Sequence, residues 1–464
     1  MISLTLEQVA KAVNGELFGK DALVTGSVET DSRLVSAGSL FVAKPGEFTD
    51  GHKFLSSAEV SGAAGAIVEH HVSDSALPQI VVSDSVVALG LLAKFVLGKL
   101  REANALTVIG ITGSNGKTST KNMLREILSL AGETIAPIES YNNEVGAPIS
   151  MLKATEATKY LVVELGAGGV GSIEYLANIC KPNIAVILKV GLAHVGEFGG
   201  IETTFQIKSE LARALGGNDL LVLNADDGLV ASMQDLSRAK VHWFGTSENS
   251  GVWASDIEVT LSGTRFVLHV GAEKHEVILN ILGEHQVMNA LAALEVSQLL
   301  GLPIRDSIGA LERMQLAERW RMQLVPGPNG SFIINDAYNA SPDSTKAALQ
   351  TLATLGRQGH RTIAVLGEMA ELGSQAAEQH DAIGRIAVRL NIDQVVVVGE
   401  RAKLIHMGAS QEGSWDGESK FYESIDEALE AVRGLLGSGD IVLVKSSKSA
   451  ELRHLGDALS EVNE

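Results

Sequence analysis

Blocks of apolar and polar positions divide the 464 residues into three units. The first has short apolar runs and opens with Thr5-Leu-Glu-Gln8, a capping-box start for a short helix. In the second, apolar runs with the length of buried strands alternate with helical patterns, which predicts a parallel sheet with crossover helices. The third repeats this alternation. We therefore expect an α/β protein with a small N-terminal domain, a central parallel-sheet domain and a Rossmann-like C-terminal domain. The predicted domains are residues 1–85, 86–318 and 319–464.

Local patterns add detail to this outline. Residues 86–100 have a helical pattern and connect the first two domains. Residues 257–261 and 264–270 alternate in polarity around Ser262-Gly263, which predicts an antiparallel hairpin. A turn rich in Pro and Gly at 326–330 lies inside the expected first hairpin of the third domain. The other strands predicted in the two larger domains are 160–165, 184–190, 220–224, 332–335, 362–366, 394–398 and 441–444.

Composition narrows the class of protein. The chain has 37 Lys and Arg against 56 Asp and Glu, a net charge of −19, which argues against a nucleic-acid partner. Cys180 is the only cysteine, so an intrachain disulfide is excluded and a reducing compartment is favoured. The most apolar segment, 86–97, is interrupted by Lys94 and is too short to cross a bilayer. We expect a cytoplasmic monomer without a membrane partner.

A phosphate-binding loop is the strongest chemical signal. Gly110-Ile-Thr-Gly-Ser-Asn-Gly-Lys-Thr-Ser119 follows a predicted strand and precedes an amphipathic helix, the context that a P-loop requires. Lys117 could reach the β- and γ-phosphates of a nucleotide, and the Thr118 hydroxyl could bind Mg²⁺. Ile111 departs from the usual pattern, which has glycine there, and an ordinary β–α turn is the alternative. The predicted nucleotide contacts are Gly113, Ser114, Asn115, Gly116, Lys117, Thr118 and Ser119.

Two polar side chains follow predicted strands of the same domain. Glu164 ends the strand at 160–165, and His194 follows the strand at 184–190. Because the carboxyl ends of parallel strands border the ligand crevice of such sheets, both side chains are expected near the loop. A lone Glu or His is more often structural. Beside a P-loop, however, both become candidate ligands of Mg²⁺, which prefers oxygen and can tolerate one imidazole.

The segment Thr112–Ser119 resembles the nucleotide loop of the Mur ligase family, the ATP-dependent amide-forming enzymes of peptidoglycan synthesis, together with their folylpolyglutamate synthetase relatives. Glu164-Leu-Gly166 and Ala193–Gly199 are similar to the family segments whose Glu and His bind two magnesium ions. The resemblance implies that Glu164 and His194 are metal ligands with catalytic roles. It also implies that Lys208, 14 residues after His194, is carbamylated by CO₂ and joins them.

The chain departs from the family at two nearby positions. Lys189 stands where the family usually has Asn, and Ser209 stands where glycine is common.

Three more segments are similar to nucleotide-binding segments of the family. Asn289, which ends Gly283–Asn289, is expected to contact adenine. Arg321 is expected to reach the terminal phosphates, and its spacing fits better than that of Arg319. Asp336, on the first strand of the third domain, is expected to hold the ATP ribose.

Substrate contacts are implied in the same way. Residues 30–33 resemble the segment that holds the UDP group, and 140–148 resembles a segment that contacts the sugar–peptide. Residues 335–343 and 444–449 are similar to those of the family members that add D-alanyl-D-alanine to UDP-N-acetylmuramoyl tripeptide, and the D-N-P-R motif of the diaminopimelate-adding members is absent. The candidate substrate residues are Ser32, Arg33, Asn142, Asn143, Tyr338, Asn339, Lys445 and Ser447. Lys445 and Ser447 are expected to place the dipeptide, although both could be solvated loop residues.

These features predict an ATP- and magnesium-dependent ligase that joins D-alanyl-D-alanine to UDP-N-acetylmuramoyl tripeptide through an acyl phosphate. Two alternatives remain open from the sequence. One is another Mur or folylpolyglutamate-type ligase. The other is a P-loop nucleotide-binding switch without ligase chemistry, which would need neither a carboxylate pocket nor a third domain that accepts an amine.

Overall fold

The computed structural model describes residues 1–46, 49–103, 106–137, 141–192, 196, 199–314, 319–413 and 418–460. Within these residues three main β-sheets follow one another along the chain, with helices on their faces. The α/β class with three successive units is confirmed, while the predicted domain boundaries remain predictions.

The first sheet has five described strands in the order β2-β7-β6-β5-β4, parallel except for the antiparallel pair β2–β7. The capping box at Thr5 is confirmed, since its hydroxyl accepts from Gln8 N and its own N–H donates to Gln8 Oε1. The strands are β1 Leu4–Thr5, β2 Glu16–Phe18, β3 Leu23–Val24, β4 Val28–Glu29, β5 Leu40–Val42, β6 Gly65–Val68 and β7 Gln79–Val81. The helices are α1 Leu6–Ala12, α2 Leu55–Val60 and α3 Ser85–Ala103, and β1 pairs with β3.

The central sheet has nine described strands in the order β16-β15-β14-β13-β12-β11-β8-β10-β9. Pairs from β9 to β14 are parallel, and the last two pairs are antiparallel. The strands are β8 Thr107–Thr112, β9 Glu133–Ile135, β10 Thr158–Glu164, β11 Ile184–Ile187, β12 Leu220–Asn224, β13 Lys240–Gly245, β14 Val252–Thr260, β15 Gly263–Val270 and β16 Glu273–Leu279. The helices are α4 Lys117–Leu128, α5 Gly146–Met151, α6 Ser172–Cys180, α7 Ile201–Arg213, α8 Gly228–Ser232, α9 Glu284–Leu299 and α10 Ile304–Arg313. The predicted hairpin is confirmed as β14–β15, and β16 is a third strand that the sequence pattern did not predict.

The third sheet has six described strands in the order β17-β18-β22-β19-β20-β21, with only β17–β18 antiparallel. That pair is the predicted first hairpin, with residues 326–330 at its turn. The strands are β17 Gln323–Pro326, β18 Phe332–Asn335, β19 Thr362–Leu366, β20 Gln394–Val398, β21 Ser419–Tyr422 and β22 Ile441–Lys445. The helices are α11 Pro342–Gly356, α12 Ala376–Arg389, α13 Lys403–Glu412, α14 Ile425–Leu435 and α15 Arg453–Leu459.

Alternating side chains of the central strands fill two cores. Val108 belongs to a core that continues through α3 into the first sheet, whereas Ile109 and Ile111 face α4 and α9. Burial on both faces is what a parallel sheet covered by helices requires, and it accounts for the continuous apolar runs. Val259 and Leu282 of the central unit join the core of the third unit, so these two units are packed together. None of the described helices is both long and apolar enough to cross a membrane.

Strand order places the site. β8 lies between β10 and β11, although the chain visits β9 first, so the chain reverses its direction of winding beside β8. Ligands of open α/β sheets bind outside the carboxyl ends of the strands at such a reversal. The glycine-rich loop after β8, Glu164 at the end of β10 and the segment after β11 therefore meet at one edge.

Candidate active site

The loop between β8 and α4 has the backbone of a phosphate-binding turn. Gly113 and Gly116 have φ angles of +154° and +89°, which favour glycine, and a Cβ on Gly116 would collide with the Asn289 carboxamide. The first intrahelical bond of α4 runs from Thr120 N to Gly116 O, so the N–H groups of Lys117, Thr118 and Ser119 lie in the helix's first turn. These groups and the positive end of the helix dipole form an anion site.

Ile111, the departure from the usual loop pattern, is explained by its place in the sheet. It is an inner residue of β8, fully buried, with Glu164 and Val186 as its neighbours on the adjacent strands. The tight turn comes only after Thr112, so glycine is needed at 113 and 116 and not at 111.

Three charged groups from separate segments converge at this loop. The Lys117 ammonium bends back over the turn and donates to the Gly113 carbonyl at 2.7 Å. Burial lowers the pKa of Lys117; the charge of Glu164 opposes this effect, and that of Arg321 adds to it. The structure thus brings together Lys117, Glu164 and Arg321, which the sequence places in separate segments.

Lys121 is a site residue that the sequence reasoning missed. Its Nζ lies 3.0 Å from Glu164 Oε1, and both side chains are only 2% exposed. Lys121 lies four residues after Lys117 and therefore on the same face of α4, which was the available signal. A buried carboxylate requires such a partner, because an unpaired charge in the interior is costly.

Lys208 on α7 is buried and lies close to Lys117. Burial, with the charge of Lys117 as the next cause, lowers the pKa of Lys208 to about 7, whereas Glu210 opposes the shift. Glu210 itself accepts three backbone N–H groups at the start of α6, from Gly171, Ile173 and Glu174, at 2.7–3.1 Å. Ser209, the departure from glycine, donates to Gln206 O within the helix at 2.7 Å.

The donor set at this edge fits magnesium. The buried Thr118 hydroxyl and Glu164 carboxylate offer oxygen atoms, the type of ligand that Mg²⁺ prefers, and a carbamate on Lys208 would add another. Carbamylation would also replace a cation that repels Lys117 with an anion. His194, the other predicted ligand, lies outside the described residues.

A cavity of about 710 Å³ adjoins the loop and fits a nucleotide in size. Asn289 lies in its wall, where its amide donates to Gln286 Oε1 at 3.0 Å and its oxygen accepts from Thr120 at 3.4 Å. His285 is also in the wall, and burial lowers its pKa to about 4. The lining residues are Asn115, Gly116, Leu188, Lys189, Asn224, Asp226, Asp227, Gly228, Leu229, Phe244, His285, Met288 and Asn289.

Asp336 and the buried Lys445 of the third unit form an ion pair. Lys445 Nζ lies 2.6 Å from Asp336 Oδ2 and also donates to the carbonyls of Asp336 and Asn339, at 3.3 and 2.9 Å. Asp336 Oδ1 accepts from Met322 N at 3.0 Å. All three ammonium hydrogens therefore have acceptors within the protein. Lys445 thereby supports the loop that carries Asp336, and its contact with the dipeptide stays a prediction.

Arg321 is held by an unusual backbone. Its neighbours Trp320 and Met322 both have positive φ, +64° and +50°, a conformation that is rare and costly outside glycine. Trp320 Nε1 is fixed by the Asp457 carboxylate at 2.9 Å, and the Arg321 guanidinium lies 4.3 Å from the centre of the Tyr338 ring. Arg319 is instead 55% exposed at its side chain and pairs with Asp457 at 3.3 Å. Of the two arginines, Arg321 is the one whose charge acts on Lys117, and its contact with the phosphates stays a prediction.

The segment Leu188–Leu192 follows β11 and begins in the cavity wall. Each of its residues has a backbone group held by a hydrogen bond from another segment, which we call a tie. Asn224 Nδ2 donates to Leu188 O, Ser114 N donates to Lys189 O, and Asp227 Oδ2 accepts from Val190 N, all at 2.9–3.1 Å. Ser114 Oγ lies 2.9 Å from Gly191 N, and Asp343 Oδ2 accepts from Leu192 N at 2.7 Å.

These ties give Ser114 a structural role and add three residues to the site. The N–H and hydroxyl of Ser114 both bind the 188–192 segment, and its predicted contact with the nucleotide stays a prediction. Asn224, Asp227 and Asp343 were not recognised, because their partners are backbone groups of a distant segment.

The remaining predicted residues have mainly local contacts. Ser447 Oγ accepts from Ala370 N at 2.9 Å and donates to Ala340 O at 3.4 Å, and Asn339 Oδ1 accepts from Ala340 N at 3.0 Å.

The candidate substrate residues of the other two units also have contacts within the protein. Asn143 Oδ1 accepts from Gly146 N, at the start of α5, at 2.8 Å, and Asn142 O accepts from Gly166 N at 2.8 Å beside Glu164. Ser32 is buried, and Arg33 is exposed and paired with Asp31 at 2.5 Å. These contacts leave the predicted substrate roles open.

Comparisons with known proteins agree with the geometry. Three family models match: the Mur ligase family catalytic domain at 25–92, the Mur ligase middle domain at 111–297 and the Mur ligase glutamate ligase domain at 320–448. The UDP-N-acetylmuramoyl-tripeptide–D-alanyl-D-alanine ligase of Mycobacterium bovis is 40% identical, over 99% of this chain and 98% of its own. The crystal structure of MurF from Acinetobacter baumannii has a TM-score of 0.90 and 31% identity, covering 99% of both chains.

A second solved structure carries a bound nucleotide. MurF ligase from Thermotoga maritima, in complex with ADP, has a TM-score of 0.82 and 27% identity, covering 94% of this chain and 97% of its own. The full-length likeness to named relatives and the three domain matches in chain order lead to one conclusion: this chain belongs to the Mur ligase family.

Proposed function

We propose that the protein joins D-alanyl-D-alanine to UDP-N-acetylmuramoyl tripeptide, with conversion of ATP to ADP and phosphate. The observation that carries the proposal is the convergence of Lys117, Glu164 and Arg321 beside a cavity of about 710 Å³. A P-loop switch needs neither the arginine from a third unit nor the buried carboxylate. The choice of dipeptide and tripeptide rests on the relatives. They are named for this activity, and the match to them covers almost the whole length of both chains.

We propose the following steps. The γ-phosphoryl group of ATP passes to the free carboxylate of the tripeptide and gives an acyl phosphate. The dipeptide amine then attacks the acyl carbon, and phosphate leaves. Lys117, the first-turn N–H groups of α4 and Arg321 neutralise charge on the transferring group, and most of the rate comes from this positioning and neutralisation.

Magnesium would be held by Thr118, Glu164, His194 and a carbamate on Lys208, and when bound it neutralises charge on the phosphates. The carbamate forms when the neutral Lys208 amine attacks CO₂ and releases a proton. Support comes from the burial of Lys208 beside Lys117, which disfavours a second ammonium there. We further propose that Asn289 contacts adenine and that Asp336 contacts the ribose. Asn289 lines the cavity together with His285, and the charge of Asp336 acts on His285, which supports this.

The first unit is proposed to hold the UDP group through Ser32 and Arg33, while Asn142 and Asn143 contact the sugar–peptide. Tyr338, Asn339, Lys445 and Ser447 are proposed to border the dipeptide. We place the enzyme in the cytoplasm, where ATP and UDP-linked precursors are available, and we propose that it acts as a monomer.

The test supplies one amine acceptor at a time. Phosphate release is measured with ATP, magnesium and UDP-N-acetylmuramoyl tripeptide, and D-alanyl-D-alanine, D-alanine, L-lysine, diaminopimelate or glutamate is added in turn. We expect stimulation by the dipeptide alone. Release that depends on another amine would assign a sister ligase, and release without any acceptor would favour a switch.

A further inference from the structure

The start of α11, in the third unit, contacts the P-loop. Ser341, its N-cap, donates from Oγ to Asn115 Oδ1 of the P-loop at 3.4 Å. Two residues on, Asp343 Oδ2 accepts from Leu192 N at 2.7 Å, and its Oδ1 lies 3.6 Å from Lys189 Nζ. One end of one helix therefore touches both strand-end segments that border the nucleotide cavity.

Among the five ties on the 188–192 segment, the one at Leu192 differs in origin. Ser114, Asn224 and Asp227 belong to the central unit and hold the segment wherever the third unit lies. The tie from Asp343 exists only when the third unit is docked. The fixed ties end at Gly191, so the geometry at Leu192 depends on the position of the third unit.

The surface around Asp343 is shaped to receive it. A Cβ on Gly191 would overlap Asp343 Oδ2, whereas its contact with Ser114 Cβ would be an ordinary 3.6 Å. The Asp343 carboxylate thus occupies the space that a side chain at position 191 would fill. Lys189, the departure from the family's Asn, is the cation that faces this carboxylate.

We propose that Asp343 is a positioning residue that docks the third unit onto the 188–192 segment and so couples docking to the shape of the nucleotide site. This inference rests on the proposed function for its kinetic readout only. The carboxylate acts through the Leu192 N–H and Lys189 and touches no substrate. Since Lys189 and Leu188 line the cavity, loss of the tie alters the site as well as the docking equilibrium.

The first prediction concerns two single variants. A hydrogen bond from a backbone N–H to a charged group is among the stronger ones, and Asp343 is partly exposed, so we expect Asp343→Ala to lower kcat/KM for ATP about ten-fold. Gly191→Ala should have a similar effect, because the new methyl group displaces the carboxylate. Asp343→Asn keeps an oxygen that can accept from Leu192 N and should retain most of the activity.

The second prediction is that the two changes are not additive. Gly191→Ala harms docking through Asp343, so the double variant Gly191→Ala/Asp343→Ala should be no worse than either single variant. Asp426→Ala is the matched control, since Asp426 also lies in the first turn of a third-unit helix and is exposed. It removes the same favourable charge from a helix start and should leave kcat and KM unchanged.

A readout independent of ligase turnover separates this inference from the proposed function. Fluorophores on cysteines at exposed Glu248 and Glu430 report energy transfer between the two units at a saturating, non-hydrolysable ATP analogue. We expect lower transfer efficiency in Asp343→Ala and Gly191→Ala than in Asp426→Ala, and near-wild-type efficiency in Asp343→Asn. The proposal would be overturned by any of three results. The first is wild-type transfer efficiency in Asp343→Ala, and the second is an additive, hundred-fold loss of kcat/KM in the double variant. The third is an Asp343→Asn variant as poor as Asp343→Ala. Failure of the acceptor assay alone would overturn only the proposed function.

Discussion

The buried pair between Lys121 and Glu164 gives a sharp test of how the site is held. Replacing Lys121 with Met keeps the size and length of the side chain but leaves the Glu164 carboxylate without its nearest cation. Both side chains are 2% exposed and their charged atoms are 3.0 Å apart, so solvent screens the interaction little. We therefore expect Lys121→Met to lower the stability of the folded protein as well as the rate of the reaction.

The structure sets the size of this effect. Unit charges 3.0 Å apart interact by about 5 kcal/mol at an effective dielectric constant of ~20, and removal of one member of a buried pair typically costs about 3–5 kcal/mol. Lys117 also faces Glu164, which lessens the penalty. We expect a loss of about 3 kcal/mol for Lys121→Met. The double variant Lys121→Met/Glu164→Gln should recover most of that stability.

Urea unfolding followed by tryptophan fluorescence, to which Trp243 and Trp253 on the central sheet contribute, measures the free energies of the four proteins in this cycle. A favourable coupling energy of about 2 kcal/mol between the two positions is the expected result. The double variant should nevertheless remain inactive, because it lacks the proposed magnesium ligand. A cost under 1 kcal/mol for Lys121→Met with no coupling would refute the reasoning.

Three further predictions concern charge and protonation. Lys117→Ala and Arg321→Ala should each lower kcat by about 10²–10³ with an unchanged circular dichroism spectrum. The control Arg319→Ala, whose side chain is 55% exposed, should change kcat only a few-fold. Equal losses of kcat for both arginines would contradict the assignment. Lys208→Ala should be partly rescued by added short-chain carboxylates, and an active variant that is indifferent to CO₂ would refute the carbamate. His285 has a pKa of about 4 in the folded protein and about 6.5 in the unfolded chain, so the unfolded chain binds the proton first as the pH falls. The free energy of unfolding should therefore fall by about 1–2 kcal/mol from this group between pH 7 and pH 5. In urea titrations His285→Gln should show a shallower fall, and an equally steep fall in the variant would contradict this explanation.

Local features were predictable from the sequence because their determinants are close together in the chain. The glycines at 113 and 116 and the strand before them define the P-loop, and Ser262-Gly263 between alternating runs defines the β14–β15 hairpin. The capping box at Thr5 follows from side chains three residues apart.

Features that depend on distant partners were not predictable. Asp343 binds a backbone group 151 residues away, and the role of Lys445 depends on Asp336, 109 residues earlier. Neither position has a local pattern that distinguishes it from a solvated loop residue. Lys121 is intermediate, since its helix face was known from its spacing after Lys117 but its partner was fixed only by the pairing of β8 with β10.

The central claim is that the chain activates a substrate carboxylate by phosphorylation in a site shared between two units. The most direct test labels the free carboxylate of UDP-N-acetylmuramoyl tripeptide with ¹⁸O and analyses the phosphate released during ligation to D-alanyl-D-alanine. Transfer through an acyl phosphate predicts one ¹⁸O atom in each molecule of released phosphate. Phosphate without ¹⁸O would mean that ATP is hydrolysed by water, which would contradict the account.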